Sequence, residues 1–485
     1  MLNTYTMKHL VYILSLFCLL GLSSCTKDFE DINTNPNAPN SVQPSLLLRQ
    51  VIYDFGEQMS YEGFVAGDLL SQHRTALDFN LFDRHALKSP QLGGNPWPIF
   101  YTNLRDNEII INQSQNVETF AVYEGPALIM KAYMAGILTD LFGDVPYSEA
   151  FNGIDGTVKP SYDLQENIYN AEDGIFDNLE KGVAAINAYQ GAIPLEGDIL
   201  FNGNLQAWIK FANSLKIKHL MRVSNKMDVS SELQAIFNEG NYISLNSENA
   251  IFNFTATEPN SFRLAQLRIG DFNNFVLSET MENVLQDLED PRLGTFFRPF
   301  DNSDSGGFNG LINGIDASQT SIALADYSRA GTLFREDTSG LDANFSTAWE
   351  TNFFLAEAAE RGIITANAQQ LYEIGVQQAF EFWLTDLPET YLTTGNAAYN
   401  TGNNLSQILT QKWIANIING YEGWTEWRRT GFPEFMPVDA SLNDGLIPVR
   451  MPYPSEEEAL NADNYNEAAT ATNGNSINAE VWWNE

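Results

Sequence analysis

In LQAWIKFANSLKIKHLMRVSN, the residues Leu205, Trp208, Ile209, Ala212, Leu215, His219 and Leu220 recur three and four apart, so they share one face of a helix. The same spacing returns in YEIGVQQAFEFW at Tyr372, Val376, Ala379, Phe380 and Trp383. ALIMKAYMAGIL, from Ala127 to Leu138, is apolar nearly all round, which predicts a buried helix. Further helices are expected near 163–186, 344–361 and 405–418, and one carrying ENVLQDLED should break at Pro291. The fold class expected from these patterns is mainly α. His219, on an apolar helical face, reads as a satisfied core residue rather than a base.

Between the helices lie stretches such as FRPFDNSDSGGFNGLINGIDASQ and TTGNAAYNTGNN, whose Asn, Gly, Ser and Asp content favours irregular loops. Loops this long in a compact protein are usually functional or disordered. No repeat of fixed period is legible, and the tetratricopeptide consensus cannot be read.

Near the amino terminus, Lys8 and His9 precede an apolar run from Leu10 to Leu22 that is too short to span a bilayer and has the build of a secretory signal. The run ends Leu22-Ser23-Ser24-Cys25, which resembles a bacterial lipobox. Residues 1–24 would be removed and Cys25 would be the lipidation site, with several acyl chains giving the firm anchoring that one chain does not. Lys27, Asp28, Glu30 and Asp31 resemble the acidic signal that sends such lipoproteins to the outer face of the outer membrane in Bacteroidetes. Of the 2 cysteines, Cys18 lies in the removed segment, so no disulfide or cysteine site is expected in 25–485, which is read as a single domain.

Charge narrows the partners. With 62 acidic against 26 basic residues and a net charge of −36, the chain would be repelled by phosphate backbones, so nucleic acid is excluded as an expected partner. The acidity speaks to solubility at a surface rather than to a particular site. No later apolar run reaches the roughly 18 residues of a membrane-spanning helix.

Four strings then point to one family: NTNPNAP (Asn33 to Pro39), LTDLFGDVPYSEA (Leu138 to Ala150), DPRL (Asp290 to Leu293) and WTEWRRTGFP (Trp424 to Pro433). With FFLAEAAERG and the Trp482-Trp483 ending, they resemble recurrent segments of the SusD/RagB-like nutrient-binding outer-membrane lipoproteins, over essentially the whole chain. The resemblance implies a scaffold of four tetratricopeptide-like helix pairs with a loop-rich ligand-binding half. It also implies a non-catalytic role without a cofactor: capture of oligosaccharide or polysaccharide at the cell surface and delivery to a SusC-like TonB-dependent transporter as partner. Read as residues alone, the strings are structural. Gly143 and Pro146 punctuate a helix end, Arg292 suits pairing with a carboxylate, and Trp424 and Trp427, like Trp482 and Trp483, suit core packing.

A sugar presents apolar C–H faces and a rim of hydroxyls, so its site needs exposed rings beside carboxylates, amides or arginine, carried on loops over a rigid scaffold. Two stretches qualify, near 71–100 and 296–334. In the first, Phe79, Phe82 and Trp97 offer rings, and His73 and Arg84 offer polar partners. Pro96 and Pro98 fix the backbone around Trp97, either as a displayed ring or as a buried anchor of the next helix. In the second, Phe308 is the aromatic expected to be most exposed, with Asp301 and Tyr327 in the same region. DNSDSG at 301–306 is oxygen-rich enough to suggest Ca²⁺, but Ile312 stands where an EF-hand loop needs its closing Glu, and no metal is expected.

Three alternatives stay open, one of them a purely structural lid that shapes its transporter without binding a ligand. Oligopeptides are the runner-up ligand for the same lid mechanism. A surface glycoside hydrolase would need two carboxylates about 5–9.5 Å apart, a separation that 62 acidic residues supply by chance. No HExxH, GxSxG, Walker A or GxGxxG string accompanies them. The glycan's identity, linkage and length are encoded in no string.

Overall fold

The computed structural model describes residues 42–484 apart from 154–155, 259, 301–305, 319–321, 337–339 and 400–401. Cys25 with residues 1–24, Asp301 and most of the DNSDSG segment lie outside the described residues. One compact unit runs from Pro44 to Glu485 and is mostly helical.

Four pairs of chain-adjacent helices pack against one another: Trp97–Asn116 with Glu124–Phe142, Ile175–Ala188 with Leu205–Val223, Ala348–Glu360 with Ala368–Phe382, and Asn404–Ala415 with Glu422–Thr430. This is the tetratricopeptide-like scaffold that the resemblance implied. Side chains fix several of the starts. Asn204 accepts hydrogen bonds from the Gln206 and Ala207 N–H groups, and Asn367 accepts one from Gln370, each satisfying donors that a first turn leaves free. Gly143 at φ 76° and Gly431 at φ 74° end the Glu124–Phe142 and Glu422–Thr430 helices in a conformation that a side chain would resist.

The expected bounds shift where strands intervene. Asp342–Ser346 pairs antiparallel with Ala250–Asn253, so the helix expected from 344 begins at Ala348, capped by the Thr347 hydroxyl. The stretch expected as one helix over 163–186 divides into Gln165–Asn170 and Ile175–Ala188.

At the centre of the scaffold the helices exchange charges instead of methyl groups. Arg222 Nε lies 2.9 Å from Asp140 and its Nη2 2.8 Å from Glu422, and Nη1 pairs with Glu426. Arg429 bonds Glu357 at 2.6 Å and Glu426 at 2.7 Å, and Lys412 and Lys218 close the cluster onto Glu357, Glu426, Glu350 and Glu422. These side chains are buried, so each charge has exchanged water for its partners. Burial alone would push the Glu357 carboxyl up, but Arg429 and Lys412 beside it outweigh that and hold it at about 2.

That depression sets an acid limit. A carboxylate held below its unfolded value of about 4.3 contributes stability that is complete above that value and lost as pH falls towards about 2. Glu426 and Glu422, also held down, act in the same sense; Glu350 and Asp140, which burial pushes up, partly oppose it. The urea midpoint is expected to fall between pH ~4.3 and ~2, and less steeply in Glu357→Gln. Equal slopes for the two proteins would remove Glu357 from the linkage.

The expectation for His219 needs correction. Its ring is buried against Gly136 and edge-on to Tyr169, with neither nitrogen hydrogen-bonded, so it is a core residue but not a satisfied one. Burial pushes it well below the ordinary histidine range, which keeps it neutral.

Candidate functional site

The two loop regions singled out in the sequence meet. Strand Arg74–Ala76 pairs antiparallel with Phe275–Leu277, and the second region joins the same edge where the Leu311 N–H bonds the Leu277 carbonyl at 2.9 Å and the Leu277 N–H bonds the Ser328 carbonyl at 2.8 Å. Residues 72–84, 309–316 and 328–330 thus form one knitted face although more than two hundred positions separate their ends.

The root of this face is buried chemistry. Asp68 takes hydrogen bonds from Arg74 Nε at 2.8 Å and the Ile418 N–H at 2.8 Å, and the Arg74 guanidinium lies 4.5 and 4.4 Å from the Phe64 and Phe334 rings. Asp83 is a second staple. It accepts from the Thr75 hydroxyl, the Asn313 amide and the Gly314 N–H, each at 2.8 Å, and so joins the early loop to the later one. Burial pushes its carboxyl up, against the pull of those donors.

Those staples display one ring. Phe79 is 74% exposed and sits at φ 48°, a conformation costly for a residue with a bulky side chain and kept only when its surroundings impose it. The Asn274 side chain imposes it: its Oδ1 accepts from the Asp78 N–H at 2.9 Å and its Nδ2 donates to the Asp78 carbonyl at 2.8 Å, and the Phe79 N–H turns to Asp78 Oδ1 at 2.7 Å. Among the described residues Phe79 and Phe432 are the aromatic rings in the exposed class.

Asn80 Nδ2 donates to the Ile315 carbonyl at 2.7 Å, which ties the backbone next to Phe79 to the backbone next to Asp316. Asp316 lies 3.8 Å from Arg84 Nη1, and Arg84 is steadied by a 2.7 Å bond from Nε to the Ala440 carbonyl. Tyr327 is half-buried on the small apolar cluster of Val276, Leu311 and Ile315 that Leu77 also covers.

The other candidate contacts are placed differently. His73 is fully buried, with Nε2–H donating to the Trp413 carbonyl at 2.9 Å and Nδ1 beside Asp68, so it braces the loop root and does not face a ligand. Phe82 is buried against Gly94. Trp97 is the buried anchor of its helix, 4.9 Å edge-on from Phe142 and 4.8 Å from Tyr101. Phe308, expected to be the most exposed ring, is half-buried against the core, and Phe79 takes that place. No local string announces Asp316 or Asn274, since each matters through a partner far away in the chain. Among the described residues no cluster of three or more His, Cys, Asp or Glu side chains suits a metal ion, and no helix is long and apolar enough to cross a membrane.

The profile of a SusD-like family described as starch-binding and associating with the outer membrane matches residues 36–454. The chain belongs to the SusD-like family. Solved structures share its fold. A chitin-binding protein is 26% identical, with a TM-score of 0.75 over 91% of this chain and 100% of its own. A SusD homologue from Bacteroides fragilis is 22% identical, with a TM-score of 0.78 over 92% of this chain and 100% of its own. A chitin-binding SusD homologue from Flavobacterium johnsoniae is 21% identical, with a TM-score of 0.74 over 90% and 98%. No curated protein sequence matches the chain.

In this SusD-like chain the strings that carried the resemblance belong largely to the scaffold. LTDLFGDVPYSEA supplies Asp140, FFLAEAAERG supplies Glu357, and WTEWRRTGFP supplies Glu426 and Arg429 to the buried charge cluster. DPRL supplies Arg292, whose guanidinium bonds Asp290 at 2.6 Å and Gln411 at 2.7 Å under the Phe380 ring.

Proposed function

We propose that this SusD-like protein is a cell-surface lipoprotein, anchored in the outer membrane through Cys25, that captures oligosaccharide or polysaccharide and delivers it uncleaved to a SusC-like TonB-dependent transporter. The observation that carries the reading is the exposed Phe79 ring, on an early loop that is held by the Asn274 clamp, also carries Arg84, and is knitted to the segments that carry Asp316 and Tyr327. An exposed ring takes the apolar face of a sugar, and the flanking charges take its hydroxyls. The outer-membrane family and the chitin-binding relatives support a glycan over a peptide, and chains of N-acetylglucosamine are the first class to test. Asp301 belongs to the same loop region and is a proposed further polar contact. No metal or cofactor is required.

Native gels containing chitin-derived, starch-type and other soluble polysaccharides test this. The protein is expected to be retarded by one of them without releasing reducing ends. Phe79→Ala should weaken the retardation about tenfold, the worth of roughly 1.4 kcal/mol, and leave the thermal transition unchanged. Undiminished binding by Phe79→Ala would sink the assignment of this face. Reducing ends that disappear with a single Asp or Glu substitution would make the protein a hydrolase.

A further inference from the structure

On the far flank of the early loop, residues 85–95 form one wall of a groove whose other wall is the segment 443–478. Two cavities of about 230 and 310 Å³ share Leu87, Lys88 and Asn475, and together they have the dimensions of a small-ligand site. Leu87, Phe142, Met451 and Tyr453 supply apolar surface, and the rim is polar.

The second wall is held in a costly conformation. Asn473, Gly474 and Asn475 lie consecutively at φ 54°, 83° and 58°. Buried Asn475 secures them: its Oδ1 accepts from Arg450 Nη1 at 3.1 Å and the Tyr453 N–H at 2.8 Å, and its Nδ2 donates to the Tyr453 carbonyl at 3.0 Å. The groove is therefore formed before any ligand arrives.

His85 supplies an unused acceptor. Its ring is 4% exposed and lines the second cavity, and Nδ1–H donates to the Leu446 carbonyl at 3.1 Å, which leaves the Nε2 lone pair without a protein partner among the described residues. Burial pushes the imidazole down to about 4, so it stays neutral at pH 7. Lys88 is exposed, lines both cavities and forms no ion pair among the described residues, so its ammonium can donate there.

An acetamido group needs one acceptor for its N–H, one donor for its carbonyl and an apolar surface for its methyl. His85 Nε2, Lys88 Nζ and Leu87 are that set. We infer that the groove between residues 85–95 and 443–478 is a subsite for an acetamido sugar, separate from the Phe79 face and occupied by a further part of the same chain. The inference rests on the glycan-capture reading.

Chitohexaose and cellohexaose share a β-1,4 backbone and differ in the acetamido groups, so calorimetric titration of both into the purified protein isolates this contact. The protein is expected to bind chitohexaose about tenfold more tightly. His85→Asn, which keeps a residue tolerant of φ 66° and whose shorter side chain no longer places an acceptor where Nε2 stands, should abolish the difference. Asn478→Trp, at an exposed position on the lining of the cavity that His85 also lines, should do the same by filling it, which guards against a folding defect in the first variant. Chitohexaose affinity unchanged in both folded variants would remove the groove and leave the glycan reading standing. Equal affinity of the unaltered protein for the two hexamers would overturn the acetamido assignment. Binding of neither, with no retardation in any polysaccharide gel, would overturn the glycan reading and the groove with it.

Discussion

Arg222→Met is expected to lower the free energy of unfolding by about 3–5 kcal/mol, the usual cost of stripping one partner from a buried ionic cluster. The guanidinium is fully buried and serves Asp140, Glu422 and Glu426 together. Methionine fills much of the volume but leaves three carboxylates out of water with fewer cations. Urea unfolding followed by tryptophan fluorescence reads the change. The exposed Arg268–Asp271 pair is the control, since breaking it should cost less than about 1 kcal/mol. Comparable losses at the two sites would mean that water reaches the cluster and screens it.

Trp424→Ala should be as damaging, at about 3–5 kcal/mol. Its ring has no exposed surface, its Nε1–H bonds the Pro448 carbonyl at 3.0 Å, and the Arg428 guanidinium lies 4.0 Å above it. Truncation therefore opens a cavity and also leaves a carbonyl and a buried cation with less support. Trp427, three residues on, is half-buried and stacked 4.6 Å from Phe435, so its replacement should cost clearly less. Glycan binding by the folded fraction is expected to survive both changes. Equal stability losses, or binding lost with Trp427 alone, would contradict the reading of these residues as scaffold.

The core reading of the tryptophans was legible because their spacing repeats on a helical face. The charged residues between them carry no such signal: Glu426 and Arg429 look like an ordinary polar helix surface until three other helices bring Arg222, Lys412 and Glu357 onto them. Trp97 and Phe79 show the same limit at the ligand face. Both lie in one loop region with turn-forming neighbours, yet one is buried under Phe142 and Tyr101 and the other stands in solvent. The clamp beside Phe79 comes from Asn274, far along the chain, and Arg84 is held by the Ala440 carbonyl and faces Asp316.

What the sequence determined by itself is local: where helices run, where Gly and capping Asn end and begin them, and which strings place the chain in a family. Those features depend on neighbours three and four positions away, and the chain carries that information in order. Only the tertiary structure decided which rings reach solvent, which carboxylates are stapled inside, and that two distant loops share one face. Burial and hydrogen bonding there depend on residues more than a hundred positions apart, and no periodicity in the chain records those meetings.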